Sequence, residues 1–207
     1  MLHQAPSRKL PNPLAAARFT ISCAQLAQLP SVEVAEVAFA GRSNAGKSSA
    51  LNALVGSKQL ARVSKTPGRT QLINCFEIDH LGRLVDLPGY GYAKVPEPIR
   101  RSWGALVGGY VETRENLRGL MVIMDIRHPL TDLDLQMLAW GQSAQRSCHI
   151  LLTKADKFGF GAAKNQLLKV QSELKKLATP VSVQLFSSET KLGADEAREK
   201  VRGWLAG

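Results

Sequence analysis

Apolar positions along the chain alternate between two kinds of spacing, and this sketches a succession of strands and helices. Residues 34–40 form a short apolar run, read as a buried strand, and residues 47–55 after it read as a helix. Residues 71–79 and 82–86 read as two strands joined at 79–82. Residues 119–126, GLMVIMDI, are almost continuously apolar, as expected of a strand covered on both faces. Two more short strands are expected at 149–152 and 181–186, and residues 19–23 alternate weakly enough to suit a sheet edge. Helices are expected over about 97–116, 131–145 and 194–205, with Thr131 placed as an N-cap three residues before Asp134. Ala163, Leu167, Val170, Leu174 and Leu177 recur at steps of three and four, while Lys164, Lys169, Lys175 and Lys176 fall on other faces. That spacing gives an amphipathic helix with a basic exterior. The alternation as a whole predicts an α/β domain whose mostly parallel sheet carries helices on both faces.

The stretches between these elements are equally informative. Residues 1–17 contain three prolines and read as a flexible N-terminal tail, leaving 18–207 as a single domain. Residues 57–70 are polar, basic and irregular, which suits an exposed loop. Pro88, Gly89, Gly91, Pro96 and Pro98 make 87–98 a loop as well. The three cysteines, Cys23, Cys75 and Cys148, are odd in number and form no CxxC pair, so neither a disulfide framework nor a zinc site is expected. A reducing, cytoplasmic setting fits best. No apolar run approaches the roughly 18 residues of a membrane span, and the N-terminus does not read as a secretory signal. The formal net charge of +10 bears on partners rather than fold, because clustered Lys and Arg favour a phosphate backbone. No sequence-reading RNA motif accompanies it, so such binding would follow shape and charge.

Residues 41–48, GRSNAGKS, match GxxxxGK[ST] between a predicted strand and a predicted helix. Glycines at both ends let successive N–H groups turn inward, and the helix N-terminus behind them favours a polyphosphate. Lys47 is expected to reach the β- and γ-phosphates and Ser48 to offer its hydroxyl to Mg²⁺. Asp86 closes a predicted strand and opens Asp86-Leu87-Pro88-Gly89, where the carboxylate can hold Mg²⁺ through water and Gly89 can present its N–H to the γ-phosphate. Alone, DxxG is a common turn; downstream of such a loop it is coherent.

Thr153-Lys154-Ala155-Asp156 follows the strand at 149–152. A carboxylate there can accept both N1–H and the 2-amino group of guanine, whereas adenine would leave it unpaired. The stem of Lys154 can cover one face of the base. Ser187 and Ser188, after the strand at 181–186, can offer a backbone N–H to guanine O6. A phosphate-loop ATPase or small-molecule kinase is the competing class, and Asp156 argues against it.

Taken together, GRSNAGKSS from Gly41, KTPGRTQ from Lys65, DLPGYGY from Asp86 and FSS from Phe186 resemble the EngB family, from about residue 15 to the C-terminus. These are bacterial GTPases of ribosome assembly, related to the translation-factor GTPases and described as needed for normal cell division and septation. The resemblance implies a P-loop NTPase G domain, GTP and GDP as ligands, Mg²⁺, a cytoplasmic location, and the large ribosomal subunit with its rRNA as partner. A monomer without membrane attachment is expected. The implied nucleotide site comprises Gly41, Arg42, Ser43, Asn44, Ala45, Gly46, Lys47 and Ser48; Gly68, Arg69, Thr70, Gln71 and Leu72; Asp86, Leu87, Pro88 and Gly89; Thr153, Lys154, Ala155 and Asp156; and Phe186, Ser187 and Ser188. Mg²⁺ would be held by Ser48, by Thr70 and, through water, by Asp86. Release of Thr70 on loss of the γ-phosphate would free the loop around 60–70 as a switch. Thr153 stands where the wider superfamily has Asn, and the family shares that Thr.

Ras-like enzymes place a water-orienting Gln after DxxG, and this chain has Tyr90 there. Slow intrinsic hydrolysis is expected, stimulated by the ribosomal partner or by K⁺, with no catalytic base assigned. Lys47, Asn44 and Thr70 are the candidates for stabilising the transition state, Asn44 as a K⁺ holder. A non-enzymatic, nucleotide-sensing rRNA-binding module with incidental hydrolysis is the alternative reading. His128 and His149 read as structural or solvated, and Trp103, Trp140 and Trp204 as packing residues on helices.

Overall fold

The computed structural model describes residues 12–57, 59–61, 72–91, 97–177 and 180–207. Strands β1 (Arg18–Cys23), β2 (Glu36–Gly41), β3 (Ile73–Ile78), β4 (Gly82–Asp86), β5 (Leu117–Asp125), β6 (Ser147–Thr153) and β7 (Val181–Leu185) form one sheet in the order β1-β3-β4-β2-β5-β6-β7. From β4 across to β7 neighbouring strands run parallel, while β1–β3 and β3–β4 are antiparallel. The expected mostly parallel sheet is therefore present, with an antiparallel extension at one side.

Helices α1 (Lys47–Val55) and α5 (Ala194–Ala206) cover one face; α2 (Glu97–Thr113), α3 (Asp132–Ser143) and α4 (Phe160–Leu174) cover the other. Period-two alternation sorts the strand side chains between the two cores. Val37 and Phe39 of β2 pack with α1 and α5, whereas Ala38 and Ala40 face α2 and α3. Both faces of β5 are apolar for this reason, with Leu120, Val122 and Met124 on one side and Met121 and Ile123 on the other. Thr131 caps α3 as expected, paired reciprocally with Asp134. Among the described residues no helix is long and apolar enough to cross a membrane.

Some boundaries differ from those expected. Helix α2 ends at Thr113 rather than 116, because Arg114 and Asn116 turn back to bond the carbonyls of Pro30 and Val34. Strand β6 extends from Ser147 to Thr153, since its two ends pair with β5, Ser147 opposite Gly119 and Thr153 opposite Asp125. Of the expected tail, residues 1–11 lie outside the described residues. Residues 12–17 form a turn in which Leu14 is fully buried and the Asn12 amide donates to the carbonyl of Leu54. In the expected loop at 57–70, residues 59–61 are described. Ala61 is buried, its backbone exchanging hydrogen bonds of 2.8 and 2.9 Å with the Asn52 side chain.

In the parallel part, the C-terminal ends of β2, β4, β5, β6 and β7 share one edge of the sheet. Strand β2 lies between β4, which is reached through α1 and β3, and β5. The chain direction across the sheet reverses there, and such switch points are where open α/β sheets bind ligands.

Candidate functional site

The loop after β2 is shaped by its glycines. A Cβ on Gly41 would lie 2.8 Å from the Ile123 carbonyl oxygen, so only glycine lets β2 end this close to β5. Gly46 has φ 94° and caps α1 in the left-handed region, which glycine adopts without strain. Asn44 also has positive φ, at 63°, and remains exposed. The loop therefore leads straight into the N-terminus of a nine-residue helix, where backbone N–H groups and the helix dipole favour an anion.

The second segment, Asp86-Leu87-Pro88-Gly89, is stitched to the first. Leu87 N–H donates to the Phe39 carbonyl at 3.0 Å, and Ser43 N–H donates to the Tyr90 carbonyl at 2.6 Å. Lys47 and Asp86 form an ion pair, each side chain about a tenth exposed. Trp103 of α2 donates its indole N–H to the Pro88 carbonyl at 3.1 Å, which ties this segment to the helix behind it.

Tyr90 does more than lack an amide. Its side chain is 2% exposed and turned into the core, where its hydroxyl donates to Asp134 Oδ1 at 2.8 Å and its ring packs 5.3 Å from Trp103. Burial, reinforced by the Asp134 carboxylate, holds the phenol far above its ordinary pKa. It stays a neutral donor at any working pH.

The third segment is Thr153-Lys154-Ala155-Asp156. The Thr153 hydroxyl is buried between the carbonyl oxygens of Ala45 and Met124, at 2.5 and 3.0 Å, bracing the phosphate loop against β5. Lys154 adopts φ 60° and stretches its stem across the site. Its ammonium group donates to the Asn44 carbonyl at 2.6 Å and pairs with Asp125 at 2.8 Å. Burial alone would raise the Asp125 carboxyl, but bonds from Arg127 and Lys154 outweigh it and keep the group ionised. Asp156 accepts from the Ser187 hydroxyl at 2.6 Å and pairs with Lys157 at 3.1 Å. The Ser187 bond, more than Lys157, lowers its pKa.

The fourth segment buttresses the third. Phe186 N–H donates to the Leu152 carbonyl, and its own carbonyl accepts from Ala155 N–H. Ser187 is fully buried, and its oxygen also accepts from the N–H groups of Glu189 and Thr190 at 3.2 Å. The Ser187 N–H is spent on the Leu192 carbonyl, while Ser188 lines the cleft.

Between these segments lies a cleft of about 400 Å³. It is lined by Gly46, Thr153, Lys154, Asp156, Phe186 and Ser188, all expected from the sequence, and by Ser49, Lys157 and Glu189, which were not. Ser49 is the second serine of the GKSS motif, and Lys157 and Glu189 follow directly on segments already recognised. Asp125 was also missed, although a lone acid closing an apolar strand was a readable signal. Gly68, Arg69, Thr70 and Gln71 lie outside the described residues. Leu72 leads into β3 and does not line the cleft.

Among the described residues no group of three or more His, Cys, Asp or Glu side chains could hold a metal ion. One carboxylate, Asp86, and one hydroxyl, Ser48, stand at the phosphate end. That sparse oxygen set fits Mg²⁺, which takes much of its coordination from phosphates and water.

The fold and the cleft define a P-loop nucleotide-binding domain. A family model described as 50S ribosome-binding GTPase matches residues 36–154. A relative from Aromatoleum aromaticum (strain DSM 19018 / LMG 30748 / EbN1), called Probable GTP-binding protein EngB, is 57% identical over 189 residues, which cover 91% of this chain and 88% of the relative. The chain belongs to this family, as an EngB-type GTP-binding protein, and is a GTPase. Among solved structures, the crystal structure of a probable GTP-binding protein engB superposes with a TM-score of 0.67 at 18% identity, over 83% of this chain and 99% of that one. Era in complex with MgGDPNP and nucleotides 1506–1542 of 16S ribosomal RNA superposes with a TM-score of 0.61 at 20% identity, over 83% of this chain and 57% of that one. At these identities the likeness speaks for the fold.

Proposed function

We propose that this GTPase is a nucleotide-controlled switch in assembly of the large ribosomal subunit, acting in the cytoplasm as a monomer. The role in normal cell division and septation belongs to the same reading. The observation that carries the nucleotide part is the Asp156 carboxylate, held by Ser187 and opening on a cleft beside the phosphate loop. The family's description as 50S ribosome-binding and the net charge of +10 support the ribosomal part.

Asp156 would accept N1–H and the 2-amino group of guanine, with the Lys154 stem against the base face and the Ser188 N–H toward O6. Thr153 keeps the Ala45 carbonyl in place, so the base site and the phosphate loop move as one body. Residues 41–48 would wrap the phosphates, and Lys47 would exchange Asp86 for β- and γ-phosphate oxygens. Ser48, Thr70 and, through water, Asp86 would hold Mg²⁺, which when bound neutralises phosphate charge. Gly89 would meet the γ-phosphate. Gly68, Arg69, Gln71 and Leu72 complete the expected switch segment. Asn44, exposed at the loop, is the candidate holder of K⁺.

A second reading, docking governed by nucleotide occupancy with incidental turnover, is favoured by one observation: Tyr90 is packed inward and cannot orient a water. Single-turnover GTP hydrolysis with and without purified large subunits separates the two readings. We expect slow turnover alone and at least tenfold stimulation by subunits, larger in K⁺ than in Na⁺. Absence of stimulation in either salt would leave the second reading.

A further inference from the structure

Helix α4 begins four residues after Asp156, and its outward side carries exposed apolar and basic side chains together. Its inward side is set by Ala163, Val170 and Leu174, all buried. At 100° per residue, Phe160, Lys164 and Leu168 stack as i, i+4 and i+8 along one shoulder, and Lys175 at the C-cap continues that line. At 1.5 Å per residue, Phe160 to Lys175 spans about 22 Å. Phe160 is 83% exposed, the most exposed large apolar side chain among the described residues, and Leu168 is 53% exposed. An isolated exposed leucine needs no explanation, but an exposed phenyl ring alternating with ammonium groups at helical spacing does.

Charge narrows the partner. Glu173 is the helix's one acid; it points away from the stripe and is ion-paired with Lys176 at 2.6 Å. Lys164, Lys169 and Lys175 have no carboxylate partner among the described residues. A face carrying free ammonium groups and one bare aromatic ring complements a polyanion that also offers flat apolar surfaces. An unpaired nucleic-acid strand is such a polyanion: its phosphates meet the lysines and a splayed base stacks on the ring. A duplex keeps its bases stacked inside and has no use for the phenyl group.

We infer that this outward stripe of α4, Phe160–Lys164–Leu168–Lys175, is a docking surface for unpaired RNA. The inference rests on the ribosomal reading above. It adds which face meets the RNA, and it makes the loop that recognises guanine continuous with the RNA-binding helix.

The test uses the full chain with GDP bound and a fluorescein-labelled single-stranded RNA 12-mer, with anisotropy read between 50 and 200 mM KCl. Two variants are compared, Phe160→Ala and the double variant Lys164→Gln with Lys175→Gln. Unchanged GDP affinity shows that each is folded. The expected result is that Phe160→Ala weakens binding roughly 5- to 150-fold without changing the salt slope, as loss of one stacked base does. The double lysine variant lowers the slope of log K against log salt by about 1.4, near 0.7 per lost phosphate contact. Variants that bind like the parent, a parent that ignores the 12-mer, or equal preference for a hairpin duplex would overturn the inference. So would a parent that prefers anionic phosphatidylglycerol vesicles to RNA.

Sedimentation of the same variants with large subunits separates this inference from the reading beneath it. Subunits that hold parent and variants equally leave the ribosomal role intact and remove the α4 surface. Failure of the parent to bind subunits, with RNA binding still dependent on Phe160, removes the ribosomal role and keeps the surface.

Discussion

Asp156 is held in place because Ser187, fully buried, donates to one of its oxygens and is itself fixed by two backbone N–H groups. Asp156→Asn should weaken GDP binding on the order of 100-fold or more, since two hydrogen bonds to a charged acceptor are replaced by a mismatched amide. Titration of a fluorescent GDP analogue reads this directly, and affinity within threefold of the parent would remove Asp156 from guanine recognition. Tyr90 makes a contrasting case. Tyr90→Phe removes a buried bond to Asp134 and should lower unfolding stability by about 2 kcal/mol. Turnover should stay unchanged, because the ring faces the core. Urea unfolding alongside a hydrolysis assay checks both halves; a several-fold change in rate would place Tyr90 in the chemistry. The sequence disclosed that position 90 lacked an amide. It could not disclose that the ring packs between Trp103 and Asp134, since that requires α2 and α3 to be in place.

At the scale of elements, the strands and helices were legible because each follows one period and each expected phosphate- or base-binding segment begins where a strand ends. What was not legible was the ionic and polar pairing between elements distant in sequence. Glu36 at the start of β2 is wholly buried, bonded by Arg83 from β4, Arg114 after α2 and the Tyr110 hydroxyl. Burial would raise its carboxyl, but these three donors reverse the effect and keep it ionised below its ordinary range. Nothing in the local spacing around residue 36 signals such a cluster. Ser49, Lys157 and Glu189 escaped notice for a similar reason, since they matter only once three loops converge.

His149, between β5 and β7, was expected to be structural or solvated; it is buried, and its surroundings give the structural role a measurable form. Its ring nitrogens contact Ser182 Oγ at 2.7 Å and Gln184 Oε1 at 2.9 Å, and burial lowers its pKa from 6.5 to about 4. The folded state thus prefers the neutral ring. The unfolded chain binds the extra proton first, so this stability is fully present above pH 6.5 and lost as pH falls toward 4. The full difference is about 3 kcal/mol. His149→Gln should flatten unfolding stability between pH 6.5 and 4 relative to the parent. An unchanged pH profile in denaturant melts would contradict this assignment.

For the whole molecule, one sheet edge gathers the ends of five parallel strands, and every described site segment hangs from it. Hydrogen bonds from Thr153 to Ala45, Ser43 to Tyr90 and Trp103 to Pro88 then join phosphate loop, base site and α2 into one connected structure. In the proposed switch, a change at the γ-phosphate would travel to the surface through those bonds. The most direct measurement is sedimentation of the purified chain with large ribosomal subunits, loaded either with a non-hydrolysable GTP analogue or with GDP. Co-sedimentation is expected in the GTP-analogue state, with at least tenfold weaker association in the GDP state. Equal association in both states, or none in either, would contradict the proposed switch.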